Sequence, residues 1–124
     1  MIKKVIISII IIVGVVSLNI ITQGYTNKSS NEIRENLAKI KNNVDEENIK
    51  EKAIDINKQW ESKHKVLSYY IEHNELEKIS KTLVSMKSYF ETGDNSSAIA
   101  ELEEASFLLK HIEDKYSFNL QNVF

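Results

Sequence analysis

The sequence predicts an all-α protein, with an N-terminal transmembrane helix followed by an antiparallel three- to four-helix bundle. Three observations carry that expectation. Residues 5–21, VIISIIIIVGVVSLNII, run for 17 positions without a charge. Beyond them, apolar residues recur every three or four positions in four successive stretches, which is the period of an amphipathic helix. The 124 residues include no proline and only three glycines, so little in the backbone chemistry interrupts long helices.

The apolar run opens at Val5 and closes at Ile21, behind Lys3 and Lys4. At about 1.5 Å per residue it spans roughly 26 Å as a helix, close to a hydrocarbon core of about 30 Å. Ile2 and the snorkelling lysine stems supply the remainder. A cleaved secretory signal shares the basic start, but its apolar core is normally about 7–15 residues and ends in a small-x-small site. Thr22-Gln23-Gly24 matches such a site poorly, and with no cysteine a lipoprotein-type signal is excluded. The run therefore reads as an uncleaved anchor. Lys3, Lys4 and the terminal amine bias the N-terminus to the cytoplasm and the rest of the chain to the extracytoplasmic side of the cell membrane. The organisation expected is an anchor over 1–24, a neck over 25–30 and a helical body with a C-terminal tail over 31–124.

Setting Lys3 and Lys4 aside leaves 14 basic against 18 acidic residues, a formal charge of −4 for the body. Such a mixed acidic surface argues against nucleic acid and against clinging to anionic headgroups. Without cysteine there is no disulfide framework and no thiolate chemistry, so the body depends on packing alone.

Within the body, Ile33, Leu37, Ile40 and Val44 line one thin seam. Ser30 or Asn31 is placed to cap that helix, or the anchor helix runs on through the neck, where Tyr25 suits the headgroup level. A second helix is expected over residues 46–72, roughly 40 Å, with Ile49, Ala53, Ile56, Trp60, His64 (or Lys63), Leu67 and Ile71 inward. It overhangs the two shorter helices that follow. Trp60, the largest apolar side chain, is expected in the core with its indole N–H paired or at the rim. Asn74 and Glu77 suggest a capping box for a third helix carrying Leu76, Ile79, Leu83, Met86 and Phe90, widened by Val84 and Tyr89. Gly93 ends it. The fourth helix carries Ala98, Leu102, Ala105, Leu109, Ile112 and Tyr116, with Ile99, Phe107 and Leu108 alongside. The tail over 117–124 is expected to fold back through Phe118, Leu120 and Phe124 or to fray.

Trp60 in a long helix, His73-x-Glu75-Leu76, Gly93-Asp94 followed by Ala98, His111-Ile112 and the closing Asn122-Val123-Phe124 together resemble domain-of-unknown-function family 4363. The resemblance spans essentially the whole chain and rests on order and spacing. It implies a small helical envelope protein of Gram-positive, often spore-forming bacteria with an N-terminal hydrophobic segment. It implies no activity. Trp60, His73, Glu75, His111 and Asn122 match the family pattern; His64 does not.

Topology supplies the one candidate for chemistry. In an antiparallel hairpin of helices three and four, His73 and His111 share one end, with Glu72, Glu75 and Glu113 nearby. Two imidazoles and a carboxylate suit zinc or a similar ion, or a switch near pH 6–7. Against this, no HExxH, no ExxH pair and no close-spaced ligand cluster is present. The bland alternative is that His73 closes a turn and His111 sits favourably near a helix C-terminus. No phosphate loop or supported Ser-His-Asp order is present, so the expectation is a non-enzyme without a cofactor or small-molecule substrate. It is expected to bind another envelope protein or itself, through the overhang of helix two or through the tail with Asn122 and Phe124. The alternative is a ligand-, metal- or pH-responsive sensor centred on His73 and His111, which would need a partner for output across the membrane.

Overall fold

The protein is described by a computed structural model that covers residues 1–116. Four helices follow one another: α1 (Ile2–Asn42), α2 (Ile49–Leu67), α3 (His73–Glu91) and α4 (Asn95–Lys115). The tail, with Phe118, Leu120, Asn122 and Phe124, lies outside the described residues.

α1 is 41 residues long, about 61 Å at the α-helical rise. Its first half touches nothing: every residue from Met1 to Ile21 is exposed, and the helix is long and apolar enough to cross a membrane. Its second half belongs to the bundle. Of the two alternatives for the neck, the chain takes the continuous one. Thr26, Ser29 and Ser30 are buried there, in line with Ile33, Leu37 and Ile40. The Thr26 and Ser30 hydroxyls remain compatible with burial because each has a backbone acceptor within reach. Thr26 donates to the Thr22 carbonyl at 2.8 Å, and Ser30 donates across to the Leu109 carbonyl of α4 at 3.1 Å. Their small volume lets α4 approach α1 closely.

The helices form a closed ring of antiparallel neighbours, α1–α2, α2–α3, α3–α4 and α4–α1, with the diagonals apart. The pairings run in opposite directions along each seam. Asn36 meets Gln59 and Glu32 meets Lys63 between α1 and α2. Asn57 reaches the Leu83 carbonyl and Trp60 reaches Ser80 between α2 and α3. Inside lie the seams expected from the periodicity, from Ile33 and Ile56 to Leu83, Phe90, Leu109 and Ile112.

Three expectations are corrected. α2 has 19 residues and stops at Leu67, so it matches α3 in length and no overhang exists. At its start, 43–48 are consumed by turns; at its end, Ser68 donates to the Lys65 carbonyl and the chain bends so that Ile71 closes the core. The Asn74–Glu77 capping box does not form, because α3 begins at His73 with extended Glu72 as its cap. Ile71 and Leu76 then occupy the positions of a hydrophobic staple, both buried in one core, with Glu75 at the acidic third position. Burying both apolar side chains fixes the start of the helix more strongly than one side-chain cap does. Finally, Val84, Tyr89 and Phe107 face outward, since Leu83, Met86, Phe90 and Leu109 already fill the inner stripe.

The α3–α4 turn follows its chemistry. Gly93 adopts φ 81, its N–H donates to the Phe90 carbonyl, and the Asp94 N–H donates to the Tyr89 carbonyl. That is the paired hydrogen bonding of a Schellman turn, which requires the left-handed backbone that glycine supplies without a Cβ penalty. Asp94 then caps α4 by accepting from the Ser97 N–H at 3.1 Å, which holds its carboxyl below the ordinary value.

Adjacent residues on α3 therefore differ sharply in cost. Leu83→Ala should destabilise the fold by about 3 kcal/mol, whereas Val84→Ala should stay within about 0.5 kcal/mol. Urea unfolding of the full chain in micelles, followed by Trp60 fluorescence, measures both.

Candidate functional site

The end of the bundle where α1 enters gathers most of the candidate chemistry. It comprises the start of the packed half of α1, the 68–72 turn, the first turn of α3 and the last turn of α4. Glu75 is its centre. The Lys115 ammonium lies 2.7 Å from Oε1 and the His111 Nε2 lies 3.6 Å from the same oxygen. Burial pushes the Glu75 carboxyl up, but hydrogen bonds from Lys115 and Tyr116, with the charges of Lys115 and His111, outweigh it. The carboxyl therefore sits below its ordinary 4.5. Lys115 is correspondingly held above 10.5, chiefly by its hydrogen bond to Glu75. Glu72 stands 3.9 Å from the same ammonium, and its backbone N–H donates to the Tyr116 hydroxyl at 3.2 Å.

The two histidines belong to separate pairs. His111 sits on Glu75 across the α3–α4 seam, whereas His73 is largely exposed and lies 3.9 Å from Glu77 on its own helix. Glu113, expected beside them, faces the other way. It is 8% exposed and meets the Arg34 guanidinium of α1 at 3.0 Å, with Lys110 at 3.6 Å. Side chains on a helix lean toward its N-terminus, so in this antiparallel pair Arg34 and Glu113 lean toward each other and meet. Among the described residues, no group of three or more His, Cys, Asp or Glu side chains is arranged to hold a metal ion. The Glu75 carboxylate is already engaged by an ammonium.

Trp60 is a core residue. It is 2% exposed, donates its indole N–H to Ser80 Oγ at 2.8 Å, and meets the His64 ring edge-on at 6.0 Å. His64, Trp60 and Val84 border a shallow groove of about 310 Å³ between α2 and α3, in which the His64 Nε2 has no partner. A second depression, about 260 Å³, lies between Glu75, Phe107 and His111.

Sequence reasoning missed two features of this end. Arg34–Glu113 pairs residues 79 apart, and neither carries a local signal. The Tyr70 hydroxyl lies 2.8 Å from that of Thr26 and donates to the Thr22 carbonyl at 3.1 Å, tying the α2–α3 turn to α1. Burial raises the Tyr70 phenol above its ordinary 10.0.

The family model for DUF4363, a domain of unknown function, matches residues 20–123. The chain belongs to the DUF4363 family. The match begins at Ile20, two residues before the first α1 carbonyl that the bundle engages, so it opens where the packed half of α1 does. No curated protein and no solved structure matches the chain.

The sign of the Glu75 shift sets its pH dependence. A depressed carboxyl contributes stability that is whole above about pH 4.5 and is lost as the pH falls through its folded value. Glu75→Gln should therefore cost roughly 1 kcal/mol at pH 7, with the difference from the parent vanishing toward pH 3. Paired denaturation curves at several pH values measure this.

Proposed function

We propose that the protein is a single-pass, membrane-tethered extracytoplasmic module that works by binding another envelope protein or a second copy of itself, without catalysis. The observation that carries this reading is the division of one helix into a bare apolar half and a packed half that opens a closed bundle. The lysines at positions 3 and 4 favour a cytoplasmic N-terminus and a body on the far side. The non-catalytic part is supported by where the histidines sit: they are placed against Glu75, Glu77 and the Trp60 ring, not against a hydroxyl nucleophile.

With no overhang on α2, the partner surface moves to the outer ridge of α4. Phe107 is 66% exposed there, between a depression of about 390 Å³ against α1 and the smaller one against α3. An exposed aromatic flanked by recesses suits the anchor of a modest interface.

Two measurements on the full chain in cells test the proposal. A cysteine introduced at Ser96, at the opposite end from the α1 entry, should react with a membrane-impermeant maleimide in intact cells. Reaction only after permeabilisation would reverse the topology. A photo-crosslinking residue at position 107 should capture an envelope protein or a second copy. A chain that stays monomeric and uncrosslinked would remove the binding role.

A further inference from the structure

We infer that the α2–α3 turn is a second membrane contact, with Tyr69 seated in the headgroup layer of the bilayer that α1 crosses; this rests on the tethered reading above. Tyr69 is 87% exposed, more than any other large apolar or aromatic side chain of the packed body. Its neighbour Tyr70 turns inward and fastens the turn to α1 at Thr22 and Thr26. Thr22 directly follows Ile21, the last residue of the apolar run, and the helix has no break between them. From Thr22 to Thr26 the axis rises about 6 Å. A headgroup layer is about 5–7 Å thick per leaflet. The turn is therefore held level with that layer, and no spacer lifts the body away.

Tilt does not undo this placement. α2 lies about 10 Å from α1, so a tilt near 20° displaces the turn by only about 3 Å along the membrane normal. The chemistry of the turn fits the same surface. Residues 66–71, VLSYYI, carry no charge, and Val66 is exposed alongside Tyr69. Lys65 precedes the turn, and Glu72 after it stands near the Lys115 ammonium. Tyr25 and Tyr116 lie at this same end, so four of the five tyrosines cluster here and only Tyr89 sits at the other. An amphipathic ring with a polar tip is the side chain that favours the membrane–water interface.

The native chain has no cysteine, so single nitroxide labels report depth directly. The full chain is placed in phosphatidylcholine–phosphatidylglycerol vesicles after Ile12→Cys, Tyr69→Cys or Ser96→Cys substitution and labelling. Power saturation is then compared with oxygen and with a water-soluble nickel chelate. The inference expects position 12 deep in hydrocarbon, position 69 shielded from nickel several-fold more than position 96, and position 96 in water. If position 69 matches position 96 while position 12 stays deep, the tether stands and the second contact falls. If position 12 is itself in water, the tethered reading fails and takes the contact with it. Dilution with lipid separates the remaining occupant: shielding of position 69 that disappears at one copy per vesicle identifies a second chain and overturns the lipid contact.

Discussion

Everything in this architecture depends on α1 being one helix in two surroundings. From Val5 to Ile21 its side chains are uncharged, mostly aliphatic and exposed on all sides; from Thr22 onward the helix has a definite inner face. The change is made without a break, because a helix satisfies its own backbone hydrogen bonds wherever it lies. What changes is the side chains. Where the bundle starts, its inner face is made of hydroxyls, which bond to carbonyls of α1 itself and of α4. Only further along, at Ile33, Leu37 and Ile40, does the seam become aliphatic. The entry end thus adds hydrogen bonds and ion pairs to the apolar packing of Ile71, Leu76 and Ile112, whereas along α1 the far end relies on aliphatic packing.

Much of the interior was legible because it follows a period. The inner stripes of α2, α3 and α4 appear in the sequence as steps of three and four, and Gly93 marks its turn by the one backbone conformation that suits it. Helix ends were less legible, since they depend on what waits across the turn. α2 ends where its antiparallel partner ends, and α3 begins where Ile71 and Leu76 are both buried. Asn74 carried a local capping signal, but burial of two large side chains outweighs one side-chain hydrogen bond.

The candidate site was half legible for the same reason. Topology correctly brought Glu75 and His111 to one end of the α3–α4 hairpin, because antiparallel order alone decides that. It could not say which way a side chain faces around its helix. His73 and Glu75 are two residues apart, about 200° around the axis, so His73 meets Glu77 while Glu75 meets α4. The Arg34–Glu113 pair was invisible, as two charges far apart in sequence read as solvated surface. A nearly buried carboxylate held by a guanidinium adds little net stability but strongly disfavours any packing of α4 on α1 that would strand it.

The continuity of α1 also fixes a phase. With no flexible residue between the two halves, the compass direction in which the bare half presents Ser8 or Gly14 is locked to the direction in which the body presents α2 and α4. The two are geared together at about 100° per residue. One residue added between Ile21 and Thr22 would swing the body by more than a quarter turn, while seven would bring it round to within about 20° of where it began. The molecule therefore carries a handed, directional orientation in the plane perpendicular to α1, and any neighbour that grips both halves must match that angle as well as the surface.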